Sequence, residues 1–158
     1  MDNIKIGSLD KLDIAILSYL QKDGRISFTI MAKETGVSIS NIRTRVTKLI
    51  EDGTINIIGR VKPEKVGFNA YASVRIAVRP GNKIDYVAKQ LLDFREVSFL
   101  ALISGDFDME VDIMCRDNDH FIEVINKRIS NIDGVHKTTA DMYLKVLKYA
   151  QPDLDLLK

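Results

Sequence analysis

The chain has 158 residues, 46% hydrophobic and 28% charged, with 23 basic against 22 acidic side chains and a formal net charge of +1. Its longest uncharged stretches, 66–74 and 97–105, are nine residues each, against the about 20 that a membrane-spanning helix needs, so no span is expected. One cysteine, Cys115, excludes an internal disulfide framework and fits a reducing cytosol.

The N-terminus, MDNIKIGSLDKLD, meets acids where the apolar core of a signal peptide would lie, so no secretory signal is expected. Helical periodicity follows. Leu12, Ile16, Leu17 and Leu20 form one apolar stripe, with Asp10 as N-cap and Asp13 supporting it, and Gly24 ends the segment. Ser27 caps a second helix from Phe28 to about Thr35, and Gly36 makes a turn. Ser38 then caps a third helix that runs to Asp52 before Gly53. Two helices joined by a Gly-containing turn after a first helix match the helix-turn-helix outline. Thr54–Val61 (TINIIGRV) is β-rich and predicts a small hairpin or wing, and 62–70, with Pro63 and Gly67, reads as a linker.

The period then changes. Ala72–Val78 predicts a strand ended by Pro80-Gly81, Ile84–Asp93 an amphipathic helix, and Val97–Ser104 a buried strand. After a turn at Gly105-Asp106, Met109–Cys115 alternates as an antiparallel partner. Asp117 or Asn118 caps a helix through Phe121, Val124, Ile125 and Ile129, and Val135–Tyr149 closes the sheet after Asp133-Gly134. The order βαββαβ implies a ferredoxin-like layer of helices on a four-stranded sheet, so the class is α+β. The expected division is 1–61, a helix-turn-helix domain with its wing; 62–70, a linker; 71–150, the βαββαβ domain; and 151–158, a tail or a segment crossing an interface. Residues 1–62 hold ten basic and seven acidic side chains, leaving thirteen against fifteen in the rest. Near-neutrality therefore averages a basic part and a slightly acidic one.

The third helix concentrates the candidate chemistry. At about 100° per residue, Ile39, Ile42, Val46, Leu49 and Ile50 fall on one side and should pack on the first two helices. Ser40, Asn41, Thr44, Thr47 and Lys48 face away, with Arg43 and Arg45 on the flanks, and residues 38–50 contain three basic side chains and no acid. A helix that reads DNA needs this mixture of hydroxyl, amide and cationic groups. A solvated polar face looks similar; the preceding helix, the glycine turn and the β-rich segment favour DNA.

Asp106, Asp108, Glu110 and Asp112 recur at period two along one face of a strand. Val111 stands where a calcium loop requires glycine, and no His or Cys lies nearby, so a solvent or interface face is expected and no metal. His120 and His136 fit no metal or catalytic spacing and are expected at the surface or capping a helix. Cys115 is expected to be a packed thiol, and no glycine-rich phosphate loop is present. No catalytic residue, metal or cofactor is expected, and an enzyme is disfavoured.

These residues resemble the Lrp/AsnC (feast/famine) family of transcription regulators, from about Leu9 to Lys148. The family's LDxxDxxIL pattern is matched from Leu9 to Leu17, and its DGR-S signature at Asp23-Gly24-Arg25-Ile26-Ser27. Val37-Ser38, Arg45-Val46 and Leu49 match its recognition helix, followed by Gly53-Thr54-Ile55; Gly67 lies in the linker. Ser104-Gly105-Asp106-Phe107-Asp108 corresponds to its TGxYD turn, and Gly134-Val135, Thr138, Leu144 and Lys148 to its last strand. Ile50 and Thr54 depart from the family's usual Glu and Val. Ala140 replaces a second threonine, which removes one hydroxyl.

The resemblance implies a cytoplasmic, sequence-specific regulator of transcription. It implies double-stranded DNA as partner, with Arg25, Arg43 and Arg45 on phosphates and Ser40, Asn41, Thr44 and Lys48 at base edges; Ser38, at the start of the helix, joins the DNA-binding set. It implies self-association through the sensor sheets into dimers, then tetramers, octamers or larger rings, and no membrane. An amino-acid effector would bind between dimers, at Ser104, Gly105, Asp106, Asp108, Thr138 and Ala140. Two alternatives stay open: an architectural protein that compacts DNA without an effector, and an amino-acid-binding regulatory module of a metabolic enzyme.

Overall fold

The computed structural model describes residues 9–157; residues 1–8, where most of the stretch read for a signal peptide lies, and Lys158 fall outside them. The chain forms two compact units: 9–60 with 149–157, and 61–148.

The first unit holds three helices, α1 (Lys11–Lys22), α2 (Phe28–Thr35) and α3 (Ile39–Glu51). Each starts at the residue whose side chain can satisfy orphan N–H groups. Asp10 accepts from Leu12 and Asp13 in a capping box, Ser27 from Ile30 and Ser38 from Asn41. Gly36, at φ 71°, ends α2 in the left-handed region, which lets the chain turn within two residues. Ile16, Leu17, Leu20, Met31, Ala32, Ile42, Val46 and Leu49 make the core. Ile39 and Ile50, expected to pack there, are 43% and 45% exposed, because the buried stripe of α3 is only three residues wide.

The expected hairpin or wing at Thr54–Val61 forms no ladder in the structure. Ile55 joins the helical core and donates its N–H to Leu49 O, and the Ile57 side chain fills the space beside Gly24. With Ile55 and Ile57 turned to the helices and Ile58 left 74% exposed, no packed face or third strand among the described residues supports the segment, and a lone two-stranded hairpin is marginal in water. The sequence predicts 151–158 as a tail or a segment crossing an interface. In the structure 149–157 belong to this unit: Leu154 packs on its core, Gln21 donates to Pro152 O (3.2 Å) and Arg60 lies 3.8 Å from the Tyr149 ring centre.

The second unit is β1 (Ala70–Val78), α4 (Ile84–Leu92), β2 (Val97–Leu102), β3 (Met109–Cys115), α5 (Asn118–Glu123) and β4 (Val135–Met142), the expected βαββαβ order. The sheet is antiparallel with strand order β2-β3-β1-β4. Alternation explains the core: Ala72, Val74 and Ile76 of β1 and Met109, Val111 and Ile113 of β3 point under Val87 and Leu91 of α4 and Val124, Ile125 and Ile129. Cys115 is buried among them, and burial pushes its thiol pKa up.

Three details differ from expectation. β2, read as buried, is an edge strand: Phe99, opposite Asp112 on the face away from the helices, is 51% exposed, and Leu102 is 64% exposed. β4 stops at Met142 instead of Tyr149; its ladder partner β1 begins at Ala70, and Tyr143 makes the last bond, to Tyr71 O (2.8 Å). The last helix, capped by Asp117, widens into a π-helical turn over Val124–Ile129, closed by Ser130 N–H to Ile125 O.

Candidate nucleic-acid interface and sensor turn

In the first unit α3 buries Ile42, Val46 and Leu49 and exposes Ser40, Asn41, Arg43, Thr44, Thr47 and Lys48. Thr44 Oγ1 donates to Ser40 O (3.0 Å), leaving its oxygen lone pairs outward. Ser38 spends its hydroxyl oxygen on the Asn41 N–H (3.2 Å). Arg43 pairs with no carboxylate among the described residues, and Arg25 is exposed beside Asp23.

Arg45 is placed otherwise than expected. Its Nη1 donates to Asp10 Oδ2 and Asp13 Oδ1, both at 2.7 Å, and its Nε to Asn41 Oδ1 at 3.1 Å. The guanidinium therefore joins α3 to the N-terminus of α1 through its Nη1 and Nε groups. Asp13 and then Asp10 hold the Arg45 pKa above its ordinary value. The Asp13 backbone N–H, followed by Arg45, holds Asp10 below its own. Sequence reasoning recognised both aspartates as cap residues and missed them as partners of Arg45, which lies 32 and 35 residues away.

In the second unit the turn between β2 and β3 carries Ser104, Gly105 and Asp106, all exposed, with Gly105 at φ 121°. Asp108 faces inward: its Oδ2 accepts from the Val78 N–H (2.7 Å) and from Arg79 Nη1 (3.3 Å). Its backbone N–H donates to Ile76 O (3.0 Å). Thr138 pairs with Ile76 from the other side, and Ala140 with Val74. The sheet thus brings the turn and Thr138 to the same end of β1, on opposite edges of it.

The four acids do not share one face. Asp108 is tied to β1, while Glu110 and Asp112 sit on the sheet face away from the helices. There Asp112 accepts from the hydroxyls of Tyr71 (2.9 Å) and Tyr143 (3.0 Å), and Glu110 from Ser73 (2.8 Å). Arg75 pairs with Asp141 (2.8 Å) on that face. Burial, and then the Asp112 carboxylate, raises the Tyr143 pKa. Phe107, unnoticed in the sequence as a contact residue, lies 5.3 Å from the Arg75 guanidinium and 5.4 Å from Lys137 Nζ. Among the described residues no cluster could hold a metal ion.

His120 is half-buried, with Nε2 at 3.2 Å from Glu96 Oε1, and Arg128 Nη1 donates to the same oxygen at 2.7 Å. Burial pushes the Glu96 carboxyl up, but its own backbone N–H, Arg128 and His120 together hold it below its ordinary value. A carboxylate with a lowered folded pKa stabilises above its unfolded pKa and loses that contribution as pH falls through the folded one. The stability gap between wild type and Glu96→Gln, measured by thermal melting, is expected to be full near neutrality and to close below about pH 4. A gap unchanged down to pH 3 would overturn this role.

Both units match known families. Residues 9–56 match the winged helix-turn-helix DNA-binding family, and residues 71–153 match the Lrp/AsnC ligand binding domain. The chain is 36% identical over 141 residues to the HTH-type transcriptional regulator LrpA of Pyrococcus horikoshii, covering 89% of this chain and 99% of that one. The structure of Escherichia coli AsnC superposes with a TM-score of 0.85 at 25% identity, covering 91% of this chain and 97% of that one. A transcriptional regulator of Neisseria meningitidis, solved as a complex with L-Met, shares the fold at TM-score 0.87 and 23% identity, over 96% of this chain and 100% of that one.

Proposed function

The chain belongs to the Lrp/AsnC family of helix-turn-helix transcriptional regulators, and on that premise we propose that it is a cytoplasmic, sequence-specific regulator whose DNA binding responds to an amino acid. One observation carries the reading: α3 buries its apolar stripe and presents a polar, basic face free of acids over residues 38–50. Arg43 and Arg25 contact phosphates, and Ser40, Asn41, Thr44 and Lys48 meet base edges. Ser38 and Arg45 act from behind, as cap and brace. The reading head is 1–61 together with 149–157, 62–70 is the linker and the sensor occupies 71–148.

Two heads on a dimer would enter successive major grooves about 34–36 Å apart. The helix-free sheet face, with half-exposed Phe99 and the Tyr71–Tyr143 pair, is the surface for a second copy. Dimers assemble further. The effector lies at the turn, where exposed Asp106 suits an ammonium group, with Ser104, Gly105 and Thr138 around it and Asp108 holding the turn. L-Met in the Neisseria protein supports an amino acid as the ligand class. The effector acts by shifting the assembly equilibrium, which changes how many heads engage DNA together. Avidity matters because each head has a small basic excess. The chain acts as a regulator and not as a catalyst.

Ala140, which offers a methyl where the family has a hydroxyl, favours one second reading: an architectural DNA protein without an effector. A gel shift on the protein's own upstream DNA, with and without each of the common amino acids, separates the two. A specific complex whose affinity or size changes with at least one amino acid is the expected result. Equal affinity for unrelated DNA, unmoved by any amino acid, selects the architectural reading. Amino-acid binding without DNA binding would revive the enzyme-module reading.

A further inference from the structure

The geometry points to Arg45 as a positioning residue that fixes the Asn41 amide so that Asn41 meets DNA as a hydrogen-bond donor, giving this head a preference for guanine over adenine where Asn41 docks. The inference rests on the proposed reading of α3 as the DNA-facing helix. An asparagine side chain carries one acceptor oxygen and an NH2 group with two donors. Its familiar pairing with adenine uses both: the oxygen takes the N6 amino group while the NH2 donates to N7.

In this head one of the two lone pairs of that oxygen is already engaged by a cation. Asn41 Oδ1 accepts from Arg45 Nε at 3.1 Å, while Asn41 Nδ2 donates to nothing among the described residues and the residue is exposed. The guanidinium is itself held, by Asp10 Oδ2 and Asp13 Oδ1 at 2.7 Å each. Asp10 is locked in turn by the capping box with Asp13 at the start of α1. The chain of restraint thus runs from the α1 cap to Arg45, to the Asn41 amide and out to the groove. An amide held this way presents donors, and the adjacent positive charge disfavours an approaching amino donor. In the major groove guanine offers two acceptors, N7 and O6, to the two N–H groups of the amide, whereas adenine offers one, N7, beside the N6 donor.

The test is selection of binding sites from a randomised duplex library by the full-length protein, for wild type, Asn41→Ala and Arg45→Lys, with melting curves for each. Wild type is expected to show a position where guanine is preferred over adenine by about 5- to 150-fold, and Asn41→Ala should erase it. Lysine keeps a positive charge for Asp10 and Asp13 but has no Nε–H for the amide. Arg45→Lys should therefore move the preference at that position toward adenine, whereas a merely structural role would weaken all sequences alike. Adenine preferred by wild type at the Asn41-dependent position, or a base preference untouched by Arg45→Lys, overturns the inference. Should Arg45→Lys fail to fold, Arg45→Gln, which also lacks the guanidinium Nε–H, takes its place against the same wild-type and Asn41→Ala comparison. Absence of any selected sequence in wild type would instead overturn the DNA-reading function, so the two failures are distinguishable.

Discussion

Replacing Ile42 by alanine is expected to cost the helical unit about 2–5 kcal/mol. Ile42 is fully buried on α3, within the cluster that also holds Ile16 and Met31 at 0% exposure. Truncation removes the transfer energy of three carbons and leaves a cavity that three short helices can close only in part. A unit of this size has little stability to spare, since small domains bury a smaller share of their surface. The chain has no tryptophan, so denaturant unfolding is best followed by circular dichroism. Ile42→Val, which loses one methyl, should cost about 0.5–1.5 kcal/mol. A loss below 1 kcal/mol for the alanine variant would mean that α3 is not anchored through this side chain.

Asp108→Ala is expected to destabilise the sensor unit by about 1–3 kcal/mol. The carboxylate is the acceptor for the N–H of Val78, a residue with no exposed surface. Without it a buried donor loses its partner, which costs more than the bond itself contributed. Arg79 loses its longer contact and keeps the 2.7 Å bond from Nη1 to Val78 O, and the turn keeps its backbone bonds, Asp108 N–H to Ile76 O and Ile103 N–H to Asp108 O. Asp108→Asn retains an acceptor in the same place and should recover most of the loss in a thermal melt. The pair also probes effector binding. If Asp108 acts by holding the turn, the asparagine variant keeps its response to amino acids. If its charge met the ammonium directly, both variants would lose it.

Helix starts were the most legible part of the fold. Asp10, Ser27 and Ser38 cap where they were expected, because capping is settled within three residues of sequence. Periodicity located the core stripe of α3 but drew it too wide: Ile39 and Ile50 share its side of the wheel, yet the facing helices are too short to cover them. The run VSFLALIS read as buried because it lacks charges. Its exposure follows from its place at the edge of the sheet and from a sheet face that no helix among the described residues covers, which no local pattern records. Of the candidate site, the exposed residues of α3 were readable as a polar face. The role of Arg45 was not, since a cation on the flank of a helix looks the same whether it awaits a phosphate or already holds two carboxylates.

From the sequence alone follow the order of the elements, their caps, the family, and the division of charge that makes a net +1 the average of two different surfaces. Those properties depend on neighbours within a few residues or on pattern along the chain. The tertiary structure alone decided which polar groups are already spent. Asp10 and Asp13 take the Arg45 guanidinium, Arg45 takes the Asn41 oxygen, and Val78 takes Asp108. Each of these bonds joins residues brought together only by packing, except the one turn of α3 that links Asn41 to Arg45. What α3 and the sensor turn still offer a ligand is therefore the remainder after folding, and folding sets that remainder through contacts between residues far apart in the chain.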